Sequence, residues 1–108
     1  MKVNELTSKM DLINLNTPSP VEISGVVVTD IVSDVVTHAK RGTIVVTAQA
    51  HNTMVSAAKL VDAAAIIFTL GREPAPEVVK LADKAGISLF TTDNGAYQIA
   101  IKLHDLGL

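Results

Sequence analysis

TIVVTAQAHNTMVSAAKLVDAAAIIFTLGRE, running from Thr43 to Glu73, holds one strand, one helix and a second strand. Thr43-Ile44-Val45-Val46-Thr47 and Ala65-Ile66-Ile67-Phe68-Thr69 are short, continuous apolar runs rich in β-branched residues. Runs of this kind suit strands buried on both faces, as in a parallel sheet covered by helices. Between them, Met54, Val55, Ala58, Val61 and Ala65 recur at helical spacing. A strand-helix-strand unit of parallel strands crosses over right-handed. Both runs end in threonine and then turn polar, and the carboxyl ends of parallel strands are where such sheets bind ligands.

Working outward, Gly25-Val26-Val27-Val28-Thr29 is a further buried-strand run, with Asp30 as a helix cap and Ile31, Val32, Val35, Val36 and Ala39 at helical spacing. Gly42 supplies the stop. Beyond Glu73, Pro74-Ala75-Pro76-Glu77 opens a helix striped with Val78, Val79, Leu81, Ala82 and Ala85 and closed by Gly86. Ile87 to Thr92 is the last strand. Asn52 or Thr53 is expected to cap the helix after Thr47, and Asp93 or Asn94 the last helix, which turns Ile99, Ala100, Leu103 and Leu106 inward. This alternation predicts an α/β fold: one three-layer domain, residues 23–108, with a small, mainly parallel four-stranded sheet and helices on both faces. Residues 1–22 read as an N-terminal appendage: a short helix over Lys2 to Met10, a possible edge strand at Leu12 to Leu15, then Thr17-Pro18-Ser19-Pro20, which excludes regular structure.

Composition narrows the function. The 108 residues contain no cysteine, which removes disulfides, thiolate nucleophiles and cysteine-bound metal, and fits a reducing cytoplasm. No apolar stretch approaches a membrane span, so a soluble cytoplasmic protein with no membrane partner is expected. A formal charge of −2 with dispersed lysines and arginines argues against nucleic acid. His38, His51 and His104 lack metal-ligand spacing, so no metal site is expected. No serine sits in a strand-turn-helix elbow, and Asp30 and Asp93 have nothing beside them that marks an acid/base pair; no catalytic residue is assigned. No cofactor is implied.

If the strands are parallel, the four polar turns beginning at Thr29, Thr47, Thr69 and Thr91 lie at one edge of the sheet, beside helix N-termini whose free N–H groups favour anions. The candidate ligand-binding residues are Gln49, His51, Asn52, Thr69, Gly71, Arg72, Glu73, Thr92 and Asp93. His51 could act as a pH-dependent donor or be only a turn residue bonded to backbone. Arg72 and Glu73 could clamp an anion and a hydroxyl or pair with surface neighbours.

The order of elements and the turn Thr69-Leu70-Gly71-Arg72-Glu73-Pro74 resemble the DRTGG domain, a regulatory module found beside phosphate acetyltransferase and CBS domains and similar in fold to the N-terminal domain of HPr kinase/phosphorylase. In that family one strand ends in a Gly-Asp-Arg-like turn and the next in Thr-Gly-Gly, followed by a proline. Here Thr69, Gly71 and Pro74 are kept, Leu70 stands for a glycine, and Gln49-Ala50-His51-Asn52 replaces the Gly-Asp-Arg turn. The phosphate loop of a phosphoryl-transfer enzyme, GxxxxGK[ST], is missing, so the resemblance implies the non-catalytic part of that architecture. It implies a dimeric regulatory module without naming a ligand; the clustering of Gln49, His51, Asn52, Arg72, Glu73, Thr92 and Asp93 at the strand ends is what points to a homodimer that binds a small anionic metabolite or nucleotide. The alternative is a protein-protein interaction adaptor without a small-molecule ligand, for which the aliphatic content, Phe90 and Tyr97 speak.

Overall fold

The computed structural model describes all residues, 1–108. A 3-10 helix (Val3–Ser8) and a two-residue strand β1 (Ile13–Asn14) come first. Then follow β2 (Gly25–Val28), α1 (Val32–His38), β3 (Thr43–Thr47), α2 (Asn52–Leu60), β4 (Ala65–Phe68), α3 (Pro76–Ala85), β5 (Ser88–Thr91) and α4 (Ala96–Asp105). The sheet has five strands in the order β1-β5-β4-β3-β2, not four. β2 to β5 are mutually parallel, and β1 adds to the β5 edge antiparallel, pairing Ile13 with Thr91. Two residues carry too little periodicity to count as a strand until a partner is seen.

Every residue of β3, β4 and β5 is buried, which is what uninterrupted apolar runs require. Because side chains alternate across a strand, each run feeds two cores. Val45, Ile66, Phe68 and Leu89 point to one face, against Val35 of α1, Met54, Val55 and Ala58 of α2, and Val78 and Ala82 of α3. Ile44, Val46, Ala65, Ile67 and Phe90 point to the other, against Ile99 and Leu103 of α4. Strands that step in one direction through right-handed crossovers must place α1, α2 and α3 on the same face. The second face is left to the C-terminal helix and to whatever the N-terminal segment supplies.

That segment supplies Val3, Leu6 and Met10, all buried in the α4-side core, although the prolines that follow set residues 1–22 apart in sequence. Val3 N–H donates to Val21 O and Ile23 N–H to Met1 O, so the start of the chain runs along the strand leading into β2. Asn16 then fastens the return across the sheet. Its amide donates to Asp83 Oδ1 (2.9 Å) and Ile87 O (3.0 Å), and its carbonyl accepts from Leu89 N (2.8 Å).

Three expected caps are placed differently. α2 begins at Asn52 with His51 as N-cap, and α4 begins after Gly95, whose N–H donates to Gln98 Oε1 at 2.8 Å. Neither Asp93 nor Asn94 caps it. α1 has Ile31 as N-cap, and Asp30 turns to β3 instead. Gly42, expected as a helix stop, lies past Ala39, which ends α1 in extended backbone. Its φ of +84° and the 2.9 Å that a Cβ there would leave to Glu22 O make glycine obligatory at the entry to β3. Gly86 does end α3, in the left-handed conformation.

Leu6 is fully buried. Leu6→Ala should therefore lower unfolding stability by about 3 kcal/mol in urea denaturation. Asn16→Ala should lower it by about 2 kcal/mol, since it leaves a backbone donor and acceptor without partners. Unchanged midpoints for both would show that the N-terminal segment does not unfold with the sheet.

Candidate functional site

Parallel register brings the strand ends level: Val28 pairs with Val46, Thr47 with Phe68, and Phe68 with Thr91. The loops carrying all nine candidate residues therefore share the carboxyl edge of the sheet. Their threonines have a local task. Thr29 Oγ1 accepts from Ile31 N (3.1 Å), Thr47 Oγ1 from Gln49 N (3.0 Å) and Thr92 Oγ1 from Asn94 N (3.2 Å). Each hydroxyl satisfies an amide two residues on and so turns the chain out of its strand. The recurrence of threonine at strand ends is thus a strand terminator before it is anything else.

Adjacent loops are stitched together in two pairs. Asp30 Oδ1 accepts from Thr47 Oγ1 (3.1 Å) and from Ala48 N (2.8 Å), joining the turns after β2 and β3. The turns after β4 and β5 are joined more closely. Leu70 N–H donates to Asn94 O (3.0 Å), Gly71 N–H to Thr92 O (2.8 Å), and Thr91 Oγ1 to Arg72 O (2.7 Å). Arg72 N–H closes the turn onto Thr69 O at 3.1 Å. Thr69, Gly71, Arg72, Thr92 and Asp93 are thereby brought together. Gln49, His51 and Asn52 lie on the neighbouring loop, and no hydrogen bond or ion pair links them to Arg72 or Glu73.

β4 leads to α3 on one face while β5 leads to α4 on the other, the divergence that opens a crevice in α/β sheets. Here the crevice is zipped shut, because the amides of Leu70, Gly71 and Arg72 are all used between or within the loops. What remains is a cavity of about 70 Å³ lined by Asp11, Ile13, Thr92, Asp93 and Asn94. The largest cavity, about 490 Å³, lies between the 3-10 helix and α4, lined by Lys9, Asp11, Lys102 and Asp105 among others. Gln49, His51, Asn52, Arg72 and Glu73 line no cavity. They form an open surface.

On that surface two features stand out chemically. Arg72 is exposed and takes part in neither of the two ion pairs, Met1 N-terminus with Glu22 and Arg41 with Asp62. The N-termini of α2 and α3, whose helices carry their apolar sides into the same core, have no side-chain cap. Free helical N–H groups and an unpaired guanidinium both favour an anion. No cluster of ligating side chains is present that would hold a metal.

Leu70, Asp11 and Asn94 belong to this region but are not among the candidate ligand-binding residues read from the sequence. Leu70 has φ +58° and Gly71 φ +69°. Two successive left-handed residues closed by an i to i+3 hydrogen bond make a type I′ turn, for which glycine is the natural occupant. Thr-Gly-Gly would meet that demand without strain; Thr69-Leu70-Gly71 meets it with a branched side chain held in the left-handed region. The sole signal in the sequence is the leucine at a glycine position.

The DRTGG domain family matches residues 19–106. No curated protein matches the chain. In structure the chain is similar to the crystal structure of the CBS and DRTGG domains of the regulatory region of Clostridium perfringens pyrophosphatase, complexed with its activator, diadenosine tetraphosphate. The TM-score is 0.72 at 17% identity, over 92% of this chain and 44% of the other. The chain thus spans less than half of that neighbour, and at this identity the likeness is one of fold.

Leu70→Gly should raise stability by about 0.5 kcal/mol, the relief of strain being offset in part by a more flexible unfolded chain. Leu70→Val, β-branched in the same conformation, should lower it by about 1 kcal/mol. Thermal unfolding of both variants checks the sign.

Proposed function

The chain belongs to the DRTGG domain family, and from that premise we propose that it is a non-catalytic, homodimeric regulatory domain of the cytoplasm that takes a small anionic metabolite or nucleotide at the carboxyl edge of its parallel strands. The observation that carries this reading is the unpaired, exposed Arg72 on the loop leading into α3, at the same edge of the sheet as the uncapped N-termini of α2 and α3. Gln49, His51 and Asn52 supply hydrogen-bonding groups on the adjacent loop, and Glu73 a carboxylate suited to a hydroxyl. The neighbour of like fold, a regulatory region complexed with a dinucleotide activator, supports a ligand of the same chemical class.

The chemistry of recognition follows from the zipped turns. Because Leu70, Gly71 and Arg72 have no free amide, charge would be met by the guanidinium and the helix ends, with side-chain amides setting orientation. Binding on an open surface is exposed to screening, so affinity should fall with added salt. The non-catalytic reading rests on the sequence, which has no GxxxxGK[ST] loop and no cysteine. A protein-binding adaptor is the second reading, favoured by Leu70 and Tyr97, large apolar side chains 58% and 79% exposed in or beside these turns.

Thermal-shift measurements with nucleoside phosphates, dinucleoside polyphosphates and small carboxylates should find a compound that raises the melting temperature. At a hundredfold excess over Kd the gain is about 2.7 kcal/mol. Arg72→Ala should remove that shift while leaving the unliganded protein within about 0.5 kcal/mol of wild type. A panel without effect, or a shift that survives Arg72→Ala and Gln49→Ala together, rejects this site.

A further inference from the structure

The largest cavity of the molecule, about 490 Å³ between the 3-10 helix and α4, is lined by none of the nine candidate residues. Its size lies within the range of small-molecule sites. One wall carries Lys9, Met10 and Asp11, the other Lys102, Asp105 and Leu106. The family match begins at residue 19, so one of the two walls comes from outside the matched stretch.

Each wall presents one ammonium and one carboxylate. None of the four is spent on another charge of the chain, whose two ion pairs join Met1 to Glu22 and Arg41 to Asp62. The four charges sum to zero, so the lining gathers neither anions nor cations by its net field. What it matches is a small molecule that carries both signs at once. Met10, 7% exposed, and the half-buried Leu106 add an apolar part to the lining. The backbone bearing these groups is already fixed. Lys9 and Met10 N–H donate to Leu6 O at 2.9 and 2.8 Å, Leu106 N–H donates to Lys102 O at 3.2 Å, and Asp11 O accepts from Thr92 Oγ1 at 3.3 Å. The two walls are therefore set before a ligand arrives, which lowers the ordering cost of binding.

We propose that this cavity binds a free α-amino acid with an apolar side chain. Lys9 and Lys102 meet its carboxylate, Asp11 and Asp105 its ammonium, and Met10 and Leu106 its side chain. An ammonium has three donors and a carboxylate several acceptor sites, so each end of the ligand can bridge both walls. The site is separate from the anion surface at Arg72 and stands or falls without it. Val3, Leu6 and Met10 share a core with Ile99 and Leu103 of α4, so a ligand that ties the two walls together should raise the unfolding temperature of the folded chain.

The experiment is thermal unfolding and isothermal titration calorimetry of the full chain with L-leucine and its two halves. These are 3-methylbutylamine, which lacks the carboxylate, and 4-methylpentanoate, which lacks the ammonium. L-Leucine should bind saturably and raise the melting temperature, and each half should bind about tenfold more weakly for want of its charge-assisted hydrogen bonds. Lys102→Met and Asp105→Asn, at exposed positions, should each weaken L-leucine binding by about tenfold as well. Arg72→Ala should leave it unchanged. A wild type without saturable L-leucine binding, or one that takes either half as tightly as the whole, overturns the zwitterion site. Binding that survives Lys102→Met and Asp105→Asn combined, or that is lost in Arg72→Ala, puts the amino acid elsewhere and overturns this cavity.

Discussion

β4 hydrogen-bonds to β3 on one side and β5 on the other, with all four of its residues, Ala65 to Phe68, out of contact with water. The parallel direction of this central ladder is the constraint on which the rest depends. Parallel neighbours need a crossover, the crossovers must lie over the sheet, and the faces they leave must be covered from elsewhere. α1, α2 and α3 cover one face by handedness. α4 and the 3-10 helix cover the other, which is why Val3 and Leu6 are as deeply placed as residues of the strands themselves.

The same direction of pairing delivers every βα turn to one edge, and the chemistry there divides sharply. The hydroxyls of Thr29, Thr47 and Thr92 and the carboxylate of Asp30 are spent on amides of the protein itself. Arg72, by contrast, has a backbone engaged at both N–H and C=O while its guanidinium faces solvent. A backbone fixed in this way holds the start of a long side chain in place and leaves its charge to be met from outside. Polar residues at a strand end are thus of two kinds, and hydrogen-bond bookkeeping separates them where residue type does not.

Leu70 shows how a turn can be dictated by its surroundings. Its amide is held by Asn94 O and that of Gly71 by Thr92 O, so the zip to the β5 turn imposes left-handed backbone on both residues whatever occupies them. A glycine would comply freely. Leucine complies under strain and in exchange presents an apolar side chain at the rim, close to Gly95.

The class of fold, the four parallel strands and their order of appearance were legible in the sequence, because runs such as Ala65-Ile66-Ile67-Phe68 can be accommodated only between two covered faces. The common edge of Gln49, Arg72 and Asp93 followed from the same runs. Three things depended on tertiary contacts. β1 exists only because Ile13 and Asn14 meet β5, two residues having no pattern of their own. The caps moved because Asp30 gains more by accepting from both Thr47 and Ala48 than from its own helix, a competition decided across strands. The crevice at the rim closed because the amides of Leu70 and Gly71 found carbonyls on a loop some twenty residues away. Periodicity records which side of an element is buried; it holds no record of which distant polar group will satisfy a given amide, and that was left to the packed chain.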